Sequence, residues 1–380
     1  MTSRGPLYRS RGGKARAASI YPGQGLSRGF FYEAAQPILN ADFPGLRYTA
    51  GLLGYGSDVL GFDDEVSTDH MWGPRFYLFL REEDMDLSEA LMANFARKLP
   101  REYRGYSVSF SPPDPEDGGV RVMEPATGEE ARPLIFIHTI DEYLMGEIGT
   151  AWPARMDCAH GLAVAEQRLL SLAMADLYRD DLGMAERLAP LAYYPKEARL
   201  YLIASNWSII ASEQAFSRRC SRRGDEIGSR LVCARIVERL MRLCFLYNGV
   251  YAPYSKWFAA AFGRLPVPAA LKEALSAALS ASDGAEREDH LVRAQAMTAE
   301  LHNASGLTAP VEYRVEPYFT REIKVIYADK FARATGEQLK GTELENVPLF
   351  GAISDIGGLC EAADRPEALR KLKSLYATEK

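Results

Sequence analysis

The chain has 380 residues, 47% of them apolar and 25% charged, enough for two or three domains with cores of their own. A net charge of −6 leaves no global basic footprint, so neither nucleic acid nor an anionic membrane is an expected partner. No apolar run approaches the roughly 20 residues that span a bilayer.

The N-terminus, MTSRGPLYRSRGGKARAA, is basic but lacks an apolar h-region, which excludes a secretory signal. Residues 1–27 read as a flexible basic tail, with a transit peptide as the alternative. Cys158, Cys220, Cys233, Cys244 and Cys360 are odd in number and form no C-x-x-C pair. That points to free thiols in a reducing compartment, and the expected location is cytoplasmic. Cys233 and Cys244 fall in an apolar helical pattern and read as small core residues.

Residues 29–39 (GFFYEAAQPIL) predict a helix, and 46–53 (LRYTAGLL) a strand. The strand leads into a tight turn, Gly54-Tyr55-Gly56-Ser57. Glycine lets backbone N–H groups approach a phosphate, because no Cβ stands in the way. Asp58, Asp63, Asp64 and Glu65 follow and read as a solvated acidic loop. Asp69 and His70 come next, then Met71 and Trp72-Gly73-Pro74-Arg75. Residues 76–80 (FYLFL) are a continuous apolar run, as in a strand covered on both faces. A helix is predicted over 86–98, and strands over 106–110, 120–124 and 133–140. A small α/β domain therefore fills residues 28–150.

From residue 151 helical spacing dominates, over 162–179, 184–192, 197–216, 225–248, 255–263, 268–281 and 285–303. In 225–248, Ile227, Leu231, Ala234, Val237, Met241 and Phe245 recur at steps of three and four and predict the buried face. Asp225 and Glu226 suit the positive helix N-terminus. The helical domain is placed at 151–310. A small extension of strands (311–328) and helices (329–339, 365–376) occupies 311–380.

GYGSDVLGFDDEVSTDHMWGPR resembles the signature of an uncharacterised family of predicted nucleotidyltransferases. LAPLAYYP, GDEIGSRLVCARIVERLMRLCFL, YAPYSKWF and HNASGLT extend the resemblance over roughly residues 28–360. It implies an α+β fold, a nucleotidyltransferase-like mixed-sheet domain followed by a helical domain, with the site in the cleft between them. The wider superfamily includes antibiotic-modifying nucleotidyltransferases and DNA polymerase beta. There, a glycine–serine turn precedes an Asp-x-Asp or Asp-x-Glu pair that holds two magnesium ions on a nucleoside triphosphate. Here Asp69 follows Gly56-Ser57 after eleven intervening residues.

Two positions depart from that pattern. The family reads Asp-His-Asp-Trp-Gly where this chain has Asp69-His70-Met71-Trp72-Gly73. The third acid falls in a Val-Glu-Val-His-Thr strand, aligned here with residues 135–139 (IFIHT), which puts Phe136 at its position. A thioether and a phenyl ring do not replace carboxylates on hard magnesium. The expected protein is a repurposed, metal-independent enzyme of specialised metabolism acting on a small molecule, with no cofactor. Asp69, His70 and His138 are its candidate catalytic groups. Asp69 would be a metal ligand only if metal is retained. Left in an apolar pocket, its carboxyl would have a raised pKa. Gly56, Ser57, Lys256, Arg230, Tyr254, Met71 and Phe136 are the candidate binding residues. His302 and Asn303 read as helix-capping or cleft residues. Two alternatives stay open: an active enzyme moving NMP from NTP with magnesium, and a non-catalytic nucleotide sensor. Substrate and oligomeric state are not readable.

Overall fold

The computed structural model describes residues 21–151, 156–357 and 366–377. Its contacts divide the chain into two units. Met1–Arg155 with Arg168–Ala192 forms the first, and Met156–Gln167 with Tyr193–Lys380 the second.

The first unit is built on a mixed sheet of four strands, β1 (Thr49–Leu52), β2 (Arg75–Leu80), β3 (Leu134–Thr139) and β4 (Asp176–Asp180), in the order β3-β2-β1-β4. β1 runs antiparallel to β2 and β4, whereas β2 and β3 are parallel. The apolar run of β2 has a cover on each face. Phe76 packs edge-on against Phe31 at 5.4 Å and against Phe95 of the helix Ser88–Lys98 at 6.0 Å. On the opposite face Tyr77 and Phe79 meet Tyr143 of the helix Ile140–Ile148 at 5.4 and 5.3 Å. That helix starts in a capping box: Thr139 Oγ1 accepts from Glu142 N, and the Glu142 carboxylate accepts from Thr139 N.

Several expectations are corrected. Residues 1–20 of the proposed tail lie outside the described residues, but Gly23–Phe30 is a helix with Leu26 and Ser27 buried. It continues through the π-turn Phe31–Ala35 into Gln36–Asp42. Residues 162–179 are not one helix: Glu166–Ala173 ends and β4 begins at Asp176. The strand wins because Asp176 and Tyr178 point inward, where Asp176 takes the Arg28 guanidinium and Tyr178 packs on Phe31 at 5.5 Å. The strands expected at 106–110 and 120–124 shrink to Tyr106–Ser107 and isolated bridges such as Phe110 to Met123.

The second unit is mainly helical. Its long helix, Glu226–Asn248, is capped by Asp225, which accepts from Gly228 N at 2.7 Å, and ends at Gly249 in the left-handed region. Its buried face is only in part the one expected from the sequence, with Val237 and Phe245 buried as predicted. Val232, Cys233, Ile236, Leu240, Leu243 and Cys244 are in the core, while Ile227 is 76% and Leu231 57% exposed. The helix thus carries two apolar stripes, and the core takes the second. Cys233 and Cys244 are buried free thiols. No described helix is long and apolar enough to cross a membrane.

Candidate functional site

The glycine turn sits over a buried ion pair. Asp58 and Arg75 are both about 1% exposed and meet as a fork, Nε to Oδ2 at 3.0 Å and Nη2 to Oδ1 at 2.9 Å. Arg75 Nη2 also donates to the Tyr55 carbonyl at 2.8 Å, which ties the turn to β2. This is why residue 56 is glycine. Its φ is +141°, and a Cβ there would stand 2.2 Å from Asp58 Oδ1 and 2.8 Å from Arg75 Nη2. Ser57 Oγ donates to the Ser67 carbonyl at 3.2 Å, closing the loop that follows.

Of the four acids after the turn, Asp64 and Glu65 are exposed as expected, whereas Asp58 and Asp63 are tied into the fold. Asp58 belongs to the ion pair. Asp63 Oδ2 accepts from Gly23 N at 2.7 Å and Trp72 Nε1 at 3.1 Å, pinning a helix start to the loop. Asp64 Oδ1 accepts from Val66 N and Ser67 N, a local turn. Glu65 is exposed.

Asp69 and His70 face water. Their side chains are 64% and 51% exposed and pair with each other at 2.9 Å. The apolar pocket expected around Asp69 is therefore not there, and with it goes the argument for a desolvated carboxyl. Met71 has a φ of +51°, uncommon for a residue with a Cβ, and its N–H donates to the Arg121 carbonyl at 2.8 Å.

Phe136 lies on β3 in register with Tyr77, and His138 in register with Phe79. Paired residues share a face, so these rings form a row. Phe136 stacks on Tyr77 at 4.7 Å and 24°, and His138 lies 6.3 Å from Tyr77. Gly54 belongs beside this row, since a Cβ on it would come within 2.6 Å of the Tyr77 hydroxyl. Burial pushes the Tyr77 phenol up to about 12. It also lowers the pKa of His138, against a smaller opposing pull from Glu142, so the imidazole is neutral at neutral pH. Among the described residues no three His, Cys, Asp or Glu side chains are grouped to hold a metal ion.

The remaining sequence candidates belong to the second unit. Lys256 is exposed with its ammonium 5.0 Å from the ring of Trp257. Arg230 forms an open i,i+4 pair with Glu226 at 3.6 Å. Tyr254 N donates to Gln167 Oε1 at 3.0 Å, and Tyr254 lines a groove of about 570 Å³. His302 is fully buried, which removes it from any surface cleft.

The groove is what sequence reasoning missed. At its floor Asp355, 5% exposed, accepts from Arg239 Nη1 at 2.6 Å and lies 3.2 Å from Arg242 Nε. Glu166, 14% exposed, accepts from Ala252 N at 2.9 Å and lies 3.4 Å from Arg242. Burial pushes the Glu166 carboxyl up to about 7, against the opposing pull of Arg242. Its signal in the sequence was the predicted apolar stripe of the long helix, since Ala234, Val237 and Met241 of that stripe form one wall.

The raised carboxyl has a consequence for stability. The fold holds the Glu166 proton more tightly than the unfolded chain does, so stability is full below about pH 4.5 and declines as pH rises through 7. Glu166→Gln removes that decline. Between about pH 5 and pH 8 the wild type should lose about 2 kcal/mol more than the variant, read by urea unfolding at each pH. Parallel pH profiles would contradict this.

Residues 162–258 match the family described as "Domain of unknown function (DUF4037)", a stretch that includes Glu166, Arg239, Arg242, Tyr254 and Lys256. No curated protein matches the chain. Among solved structures, a nucleotidyltransferase-like protein from Exiguobacterium sibiricum is similar at 10% identity and a TM-score of 0.32. The match covers 74% of this chain and 77% of that one.

Proposed function

We propose that the chain is a nucleotidyltransferase-derived protein whose first unit acts on a small organic molecule without the paired magnesium ions of that chemistry. One observation carries the reading. The ring of Phe136, on the strand position where the sequence resemblance puts the third carboxylate, is packed face to face on Tyr77 at 4.7 Å. Met71 stands at the second acid position, and the remaining acid, Asp69, is paired with His70 in solvent. Magnesium takes oxygen ligands, and this donor set offers a single carboxylate. The residues present therefore do not fit the metal pair.

In place of metal ligands, the row offers stacked rings and a neutral imidazole. Stacked rings favour a planar or ring-bearing substrate, and neutral His138 is in the right state to accept a proton from it. Full-length protein incubated with ATP, GTP, CTP and UTP, with and without magnesium, tests the proposal. No magnesium-dependent release of pyrophosphate is expected. Such release, with any acceptor hydroxyl, would sink it. Binding of a nucleotide without metal and without turnover would point instead to the sensor.

A further inference from the structure

The apolar stripe predicted for the long helix of the second unit divides, with Ile227 and Leu231 exposed and the next turns lining a groove. Ala234, Val237 and Met241 form one wall of the groove, and Phe258 and Pro253 face it. A volume of about 570 Å³ lies in the range of small-molecule sites, which combine apolar walls with a few converging polar groups.

The polar groups at the floor do not balance. Asp355, Glu166 and Glu238 bring three carboxylates to two guanidiniums. Arg239 is taken by Asp355, and Arg242 by Asp355, by Glu238 at 3.0 Å and, more loosely, by Glu166. One negative charge is left over, and it falls on Glu166, whose contact with Arg242 is the longest of the set. A partly buried carboxylate in excess takes either a proton or a cation. An anionic ligand would bring a fourth negative charge to two guanidiniums.

A second observation lies beneath the same cluster. Glu166, Arg242 and Asp355 also line a small cavity of about 10 Å³, room for one water. Tyr194 and Asn206 also line it, 5% and 1% exposed, and the Tyr194 hydroxyl and Asn206 Oδ1 have no hydrogen-bond partner among the described residues. Native structures seldom leave such atoms unmatched. A water there would accept from Tyr194 and donate to Asn206, placing polar support directly below the carboxylate cluster.

We propose that the groove is a ligand site of the second unit for a small molecule with an apolar body and a protonated amine. The ammonium meets Glu166, and the body lies along Ala234, Val237 and Met241. This does not depend on the reading of Met71 and Phe136. A proton and the amine compete for the same carboxylate, so binding weakens as pH falls. The other groups facing it are Arg239, Arg242 and Glu238 from the long helix, Asp355, and the phenols of Tyr194 and Tyr251.

The test is calorimetry on the full chain near pH 8 with three probes of one shape, phenethylamine, phenethyl alcohol and hydrocinnamate. Phenethylamine should bind at millimolar concentration, about tenfold more tightly than either of the others, and more weakly near pH 6. Glu166→Gln should weaken it by about tenfold. Ala234→Trp fills the groove from an exposed helix position and should abolish binding. The thermal unfolding of each variant without probe separates lost binding from lost fold. Hydrocinnamate binding as tightly as the amine overturns the proposal. So does amine binding unchanged in a folded Glu166→Gln, or no amine binding at all.

Discussion

Replacing Asp58 with alanine should destabilise the first unit by about 3–5 kcal/mol, because it leaves the Arg75 guanidinium buried and unpaired. Arg75 is 1% exposed and sits at the start of β2, with its remaining bond to the Tyr55 carbonyl. Hydrogen exchange of the β1 and β2 amides reads the loss in this unit alone, where a whole-chain melt would mix two units. Removing both charges together, as Asp58→Leu with Arg75→Met, should recover most of the stability, since an apolar pair of similar volume avoids the desolvation cost. A single Asp58→Ala that shifts exchange by less than about 1 kcal/mol would show that the pair is not what holds the turn to the strand.

His302 gives the second large effect. It is fully buried at the end of the helix Gly284–Ala304, within ring contact of Phe331 at 5.1 Å. Its hydrogen bonds fix its state. Trp207 Nε1 can only donate, and it donates to the Tyr247 hydroxyl at 2.8 Å. Thr308 Oγ1 donates to the Ala309 carbonyl at 2.9 Å, so His302 Nε2 donates to Thr308 at 2.9 Å and Nδ1 of the neutral ring accepts from Tyr247 at 3.1 Å. Both nitrogens are used by the neutral ring, and a second proton on Nδ1 would face a hydroxyl that already donates there. Burial lowers the pKa of His302 to about 4.

The direction follows from that depression. The unfolded chain takes up the proton first, so the stability contributed by the neutral ring is full above about pH 6.5. It is lost as pH falls toward 4, and the loss amounts to about 3 kcal/mol. His302→Gln should be less stable than wild type at neutral pH but lose less on acidification, as measured by urea unfolding of the second unit. Equal acid limbs would place the sensitivity elsewhere.

The sequence was most legible where one force decides. FYLFL suits a strand with both faces covered, and β2 is that strand. The long helix 225–248 announces itself by spacing, and its ends by Asp225 and Gly249. Which face is buried was not legible, because two apolar stripes run along it and only the surrounding helices choose between them. β4 was hidden because residues 162–179 keep helical spacing while their last residues gain more from pairing with β1.

In the candidate site, sequence spacing found the turn but not its chemistry. Four acids within eight residues look solvated, yet Asp58 is buried opposite an arginine 17 positions away and Asp63 holds an indole. Neither partner is adjacent in sequence. HNASGLT looked like a cap or cleft segment, and its histidine is a core group with two fixed bonds. The groove over Glu166 and Asp355 joins residues nearly 190 positions apart, a pairing that periodicity does not report.

Titration of magnesium into wild type and into Met71→Asp with Phe136→Glu, by calorimetry in the presence of a non-hydrolysable ATP analogue, tests the central claim most directly. Aspartate tolerates the left-handed backbone at residue 71 better than most side chains, so the change suits the position. The expected result is no magnesium-dependent binding in wild type and its appearance in the double variant. Wild type that already binds magnesium and nucleotide as tightly as the double variant would contradict the account.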